Sequence, residues 1–477
     1  MSRKFLKLGL TVSISVAVGI GAGMLLSSDK TSRIINERKA EALGTLASKA
    51  IASKVAPADP NATVKTVSTL HHIPMEVKTY KENIFLATGV GNTYLVKTSE
   101  GNILFDTGLP LQGAAHKRML QEVAPDDVKY IVLSHSHQDH TGGARFWKAE
   151  YPEAKIVTHS RFDPAEQYLK DLEPYFWDRN RMLYTFMPEQ PPAEDSTFGF
   201  QRHEPDITVQ DGTEYRIELG GQEFVIIPTP GAEGDDNLVM WMPEKKALFT
   251  GDVFGPLFPM VPNLFTLRGE RFRDPIDYIK SLDTMIALKP DMILPSHFEP
   301  VLGAEQIDND LKRMREGTRY IHDETIAGMN AGKTLWELMQ EIQLPEELGL
   351  SQGHGKVSWN VRSIWEFYST WFRFESTTEL YPVPVNTLYS ELADLAGGSE
   401  ILIGKANEKL AAKRPVQALH YVEMALSKNP DDKVAYQAKL EALQQLLREA
   451  YNNGSNFSET MWLKNRIAAT EEILANS

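Results

Sequence analysis

Ser134-His135-Ser136-His137-Gln138-Asp139-His140 follows a short apolar run, Tyr130–Leu133, and leads into Thr141-Gly142-Gly143. Three imidazoles and a carboxylate packed so closely are hard to justify by fold stability, because each is costly to bury unless paired or metal-bound. In an extended chain His135 and His137 point to one side together. Asp139 and His140 then turn toward a second position close by. Imidazole nitrogen and carboxylate oxygen without sulfur suit zinc, and also iron or manganese. The stretch reads as a metal-binding loop at the end of a strand, not as a solvated turn.

The chain around it has 477 residues, room for two to three domains. Hydrophobic residues make up 42% and charged residues 24%, which excludes a disordered or collagen-like chain. Lys and Arg number 50 against 64 Asp and Glu, a net charge of −14. So acidic a surface repels phosphate backbones, and with no local basic patch the sequence argues against a nucleic-acid partner. There is no cysteine, which removes disulfides, thiolate metal sites and cysteine nucleophiles. Any metal must be held by His, Asp and Glu.

Arg3, Lys4 and Lys7 precede an uncharged apolar run from Leu8 to Leu26. Its length is near the roughly 20 residues that span a bilayer. Residues 1–30 are therefore expected to be a signal peptide or N-terminal membrane anchor, placing the remainder in the periplasm or otherwise outside the cytoplasm. Residues 31–69 read as a helical spacer ending in the breaker cluster Ala56-Pro57-Ala58-Asp59-Pro60. From 70 to 303 strand-like runs alternate with helical ones. The strands are Ile84–Leu86, Thr93–Lys97, Ile103–Phe105, Tyr130–Leu133, Ile156–Thr158, Phe224–Ile227, Leu238–Trp241, Ala247–Phe249 and Met292–Leu294. Helical periodicity marks Ala114–Val123, Pro275–Ala287 and 304–330, and the chain beyond about 386 is helical throughout. Leu410, Ala418, Ala425, the turn Asn429-Pro430-Asp431, then Ala435 and Leu443 form a tetratricopeptide-like pair. Too few repeats to stand alone should dock on something else, and a second subunit is the natural candidate.

His-x-His-x-Asp-His after a strand resembles the metallo-β-lactamase superfamily, which implies an α/β fold, an αββα sandwich with a metal site at one sheet edge. Leu104-Phe105-Asp106-Thr107-Gly108 is similar to that superfamily's early strand motif, where Asp106 would orient the metal loop. Further ligands implied by the resemblance are Glu233 in Thr229-Pro230-Gly231-Ala232-Glu233, Asp252 in Thr250-Gly251-Asp252, and His297 in Pro295-Ser296-His297. The implied set is two divalent ions, zinc first among them. His135, His137 and Glu233 would hold one and Asp139, His140 and His297 the other, with Asp252 bridging. Asp139 and Asp252 would be the catalytic carboxylates beside a metal-bridging hydroxide. His159, His322 and His354 lack a metal context and read as structural.

A glutamate two positions after Gly231 resembles the alkylsulfatases of this superfamily. Asn263-Leu264-Phe265-Thr266-Leu267-Arg268-Gly269, followed by Arg273-Asp274, is similar to that family's substrate strip. Gly355-Lys356-Val357-Ser358-Trp359-Asn360 and the helices after 386 resemble its dimerisation region. The resemblance makes 304–477 an all-α dimerisation domain and the protein a homodimer. It implies a sulfate monoester held by Arg268 and Arg273, with Asn263 donating, and with Arg181 and Tyr184 adding donors. Guanidinium groups bind tetrahedral oxyanions bidentately, which suits that role. Asp252 stands where the family usually has a glutamate, and the stretch just before Asn263, Gly255-Pro256 through Val261-Pro262, lacks the family's histidines, so a general acid is missing. Two other readings stand beside the sulfatase. One is a hydrolase of a phosphodiester, thioester or lactone on the same site; the other is an exported dimeric binding protein without turnover.

Overall fold

The structure, a computed structural model, describes residues 30–55 and 67–476. The apolar run Leu8–Leu26 and the breaker cluster 56–60 lie outside the described residues. Among those described, no helix is long and apolar enough to cross a membrane.

Side-chain alternation along the strands sets the layers. In β4 (Gly101–Phe105), Ile103 and Phe105 face one core and Leu104 faces another. The first core lies between two sheets. A seven-stranded sheet takes β1 (Val77–Tyr80), β2 (Ile84–Ala87), β3 (Thr93–Thr98), β4, β5 (Val128–Val132), β6 (Lys155–His159) and β7 (Ile207–Val209) in that order. Its early pairs are antiparallel, and β4/β5, β5/β6 and β6/β7 are parallel. A six-stranded sheet runs β13-β12-β11-β10-β9-β8, built from β8 (Tyr215–Leu219), β9 (Gln222–Pro228), β10 (Leu238–Met242), β11 (Ala247–Gly251), β12 (Met292–Pro295) and β13 (Val301–Leu302). Here β11/β12 is the parallel pair. Tyr94 and Phe105 from one sheet meet Phe249 of the other edge-on or tilted, with ring centroids 5.3 and 5.5 Å apart. The outer face of the first sheet, with Leu95, Leu104 and Ile131, is covered by Leu120, Trp147 and Phe162 from three helices. Strands covered on both faces read as continuous apolar runs, which is why the central ones are so plain in the sequence.

The helix Lys30–Lys54 is docked, in contrast to the expected spacer. Its small residues explain the contact: Ala40 packs on Ala114 and Phe146, and a side chain at Gly44 would strike the Leu111 backbone. Lys117, buried beneath it, pairs with Glu37 at 2.7 Å and Glu150 at 2.6 Å.

The chain divides into two compact units. One runs to Arg181 and again from Phe186 to Ile364; the other holds Met182–Thr185 and residues from Trp365 onward. The division therefore falls after Ile364, beyond the 303/304 boundary read from the sequence. The helix Ala304–Asn330 stays with the sandwich because one face of it, including Ile307, Leu311, Met314 and Ile321, is buried, and it lies against the helix Pro275–Leu288. In the second unit the helices Ser399–Ala411, Pro415–Lys428 and Lys433–Asn452 pack through Ala406, Leu410, Ala418, Val422, Ala438 and Ala442. Alanine at these crossings lets the helix backbones approach closely. Asp432 caps the third helix, its carboxylate accepting from the Val434 and Ala435 amides.

Candidate metal centre

Two of the parallel pairs, β4/β5 and β11/β12, bring their carboxyl ends together at one edge of the sandwich, where open α/β sheets place their ligand sites. His135 and His137 follow β5, and one helical turn, Gln138–Thr141, presents Asp139 and His140. Asp252 follows β11 and His297 follows β12. The close approach depends on Gly251, whose φ is +55°; a Cβ there would lie 2.4 Å from the Ser134 Cβ.

Asp106, fully buried at the end of β4 with φ +53°, ties these ends together. Its carboxylate accepts from the Ser134 amide at 2.8 Å, the Ser134 hydroxyl at 2.9 Å and the Ser296 hydroxyl, and it faces His140 Nδ1 at 2.9 Å. The Val90 carbonyl does the same for His297 Nδ1. With both Nδ1 atoms taken, the Nε2 atoms are the ones turned to the centre. Asp106→Ala is expected to weaken metal affinity by roughly 10–100-fold, the usual effect of losing such a partner. Titration against a chromophoric chelator measures it, and an unchanged affinity would show that Asp106 does not set the ring of His140.

His140, Asp252 and His135 form one group of convergent donors, and Asp139, His140 and His297 another. His297 Nε2 lies 3.1 Å from Asp252 Oδ2 and 3.5 Å from Asp139 Oδ2. His140 Nε2 lies 3.4 Å from the same Asp252 oxygen and 3.6 Å from Asp139 Oδ1. Tetrahedral ligands at about 2.0–2.1 Å from an ion stand roughly 3.3 Å from each other, so these donors have the separations of a coordination shell. His140 Nε2 and Asp252 Oδ1 are buried and make no hydrogen bond. The donor set fits a divalent ion. His137 joins neither group; its Nδ1 faces His135 Nε2 at 2.8 Å, a hydrogen-bond distance.

Glu233 departs from its expected place. It joins neither group of convergent donors; its oxygens are taken by Arg268 at 2.9 Å and Arg273 at 2.7 Å. Burial pushes its carboxyl up, but Arg273, His354 and Arg268 hold it well below the ordinary value. Two guanidiniums reach it from the 263–273 strip, each giving one charge-assisted bond to a different carboxylate oxygen. Asn263 is buried beside them; its carbonyl accepts from Arg273 and its amide meets His354 Nε2 at 3.0 Å.

Arg181 is not brought to this cluster. Arg181 pairs with Asp178 at 3.8 Å, one turn away on the same helix. Tyr184 belongs to the second unit, where its ring stacks on Phe457. His159 pairs with Asp211 at 2.9 Å, a structural role as expected.

Three residues missed in the sequence belong to the site. Glu270 bonds both arginines and lies 3.4 Å from His137 Nε2. His354 reaches Asn263 and lies 3.6 Å from Glu233; its place between two glycines ahead of the Val-Ser segment was the available signal. Asp236 accepts from the Ser136 amide at 2.8 Å, and burial, partly countered by His137, raises its carboxyl to about 6. Beside them opens a small cleft of about 110 Å³, lined also by Pro164, Ala165, Tyr168 and Leu169.

A two-sheet sandwich with histidines and aspartates converging at paired strand ends defines the metallo-β-lactamase superfamily. Residues 86–297 match the family described as Metallo-beta-lactamase superfamily. Residues 334–460 match the family described as Alkyl sulfatase dimerisation. The chain thus carries a metallo-β-lactamase domain followed by an alkylsulfatase-type dimerisation domain. It is 27% identical over 377 residues to a linear primary-alkylsulfatase of a Pseudomonas species, a match covering 74% of this chain and 69% of that one. It is 22% identical over 390 residues to an alkyl/aryl-sulfatase of Saccharomyces cerevisiae, covering 76% of this chain and 60% of that one. The solved stereoselective inverting sec-alkylsulfatase from Pseudomonas sp. shares the fold, with a TM-score of 0.70 at 20% identity, covering 85% of this chain and 66% of that one. The chain thus spans about two thirds or less of the length of most of these relatives.

Proposed function

We propose that the protein is a two-metal hydrolase of sulfate monoesters. The observation that carries this reading is a shell of His and Asp donors at coordination spacing with two arginines of one strip beside it. His135 and His137 would hold one ion and Asp139, His140 and His297 the other, with Asp252 facing both; the sulfur-free donors put zinc first. When bound, such ions supply a water that is acidic near neutral pH and a Lewis acid for developing negative charge. The chain's own part is positioning. Arg268 and Arg273 orient the ester's sulfate, Asn263 fixes Arg273 through its carbonyl, and the Pro164–Leu169 face receives an apolar leaving group.

The deciding experiment is release of inorganic sulfate from a medium-chain alkyl sulfate by zinc-loaded protein beside an Asp139→Ala control. Release that the control abolishes is the expected result. No release from protein that binds two ions would move the activity to another ester. Glu270 favours that second reading, a thioester or lactone, because together with Glu233 it brings the arginine pair to zero net charge. The helical region matching the dimerisation family supports a homodimer, expected as twice the chain mass in sedimentation equilibrium at micromolar concentration. The basic and apolar N-terminal sequence supports export or anchoring outside the cytoplasm.

A further inference from the structure

The arginines of the strip are bonded in a closed ring of four side chains. Arg268 bonds Glu233 at 2.9 Å and Glu270 at 2.7 Å, and Arg273 bonds Glu233 at 2.7 Å and Glu270 at 2.9 Å. Two guanidiniums and two carboxylates sum to zero charge, so the ring offers an incoming anion no net attraction. A sulfate that bridges the two arginines through the N–H groups now held by Glu270 must displace that carboxylate.

The two carboxylates are not equivalent. Glu233 is the more buried, 4% exposed against 13% for the Glu270 side chain, and it has His354 as a further neighbour at 3.6 Å. Both line the cleft on segments without regular secondary structure, and Glu270 is the one more open to it. Its backbone φ is +104°, a region costly to a side-chain-bearing residue by about 1–3 kcal/mol. Gly269 beside it has φ +106° and is followed by exposed Arg271 and Phe272. The chain thus accepts backbone strain to aim this one carboxylate at both arginines and at His137.

We propose that Glu270 is the clamp's resident anion: a specificity-determining residue whose carboxylate is exchanged for the sulfate of the ester and returns to the arginines when inorganic sulfate leaves. This rests on the reading of Arg268 and Arg273 as the sulfate clamp. Glu270 carries no proton and breaks no bond; it competes. Its consequence is weak retention of inorganic sulfate, the product, and discrimination against anions too poorly matched to displace a bidentate carboxylate.

The test is calorimetric titration of inorganic sulfate into metal-loaded wild type, Glu270→Gln and Asp235→Asn. Asp235 lines the same cleft but is outside the ring, so its variant measures the effect of simply removing one negative charge. Glu270→Gln should bind sulfate at least tenfold tighter than wild type and clearly tighter than Asp235→Asn. Adding Arg273→Gln to Glu270→Gln should erase the gain. Equal affinity in wild type and Glu270→Gln, or an equal gain in Asp235→Asn, overturns the proposal. Glu270→Gly removes the carboxylate and relieves the positive φ, so it repeats the test should the glutamine variant fold poorly. The titration needs no turnover. A protein inert toward every sulfate ester yet showing the Glu270-dependent gain would fail as a sulfatase while keeping the clamp. If turnover is present, product inhibition by sulfate should strengthen in Glu270→Gln by the same factor.

Discussion

His140→Ala is expected to leave the protein with fewer than two bound ions and to lower hydrolysis by more than about 100-fold, beyond the range set by loss of an outer partner. His140 is the residue common to both groups of convergent donors, so its loss opens both shells. Its side chain is fully buried and held by Asp106, so no other rotamer or neighbour can replace it. Elemental analysis of the purified variant reads the metal content and needs no substrate. Two ions retained, with activity within tenfold of wild type, would refute the assignment. Backbone contacts at this position do not depend on the ring: the Thr107 amide and hydroxyl both bond the His140 carbonyl. The variant should therefore fold, and an unchanged far-ultraviolet circular dichroism spectrum would confirm that the loss is local.

Arg273→Ala should lower stability by about 3–5 kcal/mol, the scale on which breaking a buried pair leaves an uncompensated charge. Arg273 is 3% exposed, and its removal strands two carboxylates opposite Arg268 alone. Arg268→Ala should cost less, because that side chain is 23% exposed and water can reach what it leaves behind. Urea midpoints of the two variants, taken in chelator to remove any contribution from metal, provide the comparison. A smaller loss for Arg273→Ala than for Arg268→Ala would contradict the burial argument. Removing the charge on both sides, as Arg273→Met with Glu233→Gln, should recover much of the loss. The pH dependence has a definite sign. Burial raises the carboxyls of Glu233 and Glu270, and the arginines more than offset this, holding both below the ordinary 4.5. Their stabilisation is therefore fully present above pH 4.5 and is lost as the pH falls through the lower values of the folded protein. The gap between wild type and Arg273→Ala should narrow in the same direction.

The sandwich was legible because its central strands are apolar on both faces. Every strand read from the sequence is present, with ends shifted by a residue or two. The strands that escaped notice, β1, β7, β8 and β13, include all four sheet edges, where half-polar runs such as Val77-Lys78-Thr79-Tyr80 leave no apolar block to recognise. The helices Phe162–Asp171 and Glu173–Leu183 were missed for a related reason: few of their residues are buried. His135, His137, Asp139 and His140 could be read because one loop carries them all. Glu233 and Glu270 could not be placed, since an acid able to bind a metal and an acid able to bind arginine look alike along the chain. What separates them is which partner the fold brings first. Asp106 was expected from the resemblance to orient the metal loop, and the strand ends it joins supply the geometry.

Those strand ends come from both sheets, and so do the donors: His135 to His140 from one, Asp252 and His297 from the other. Any ion bound by this set is a clasp across the mouth of the sandwich, as much a part of its cohesion as the core beneath. Its binding energy enters the unfolding equilibrium of the catalytic unit directly. Scarcity of metal would then act as heat does, loosening the mouth first, and the protein's lifetime in a metal-poor setting would be decided by how tightly it is clasped.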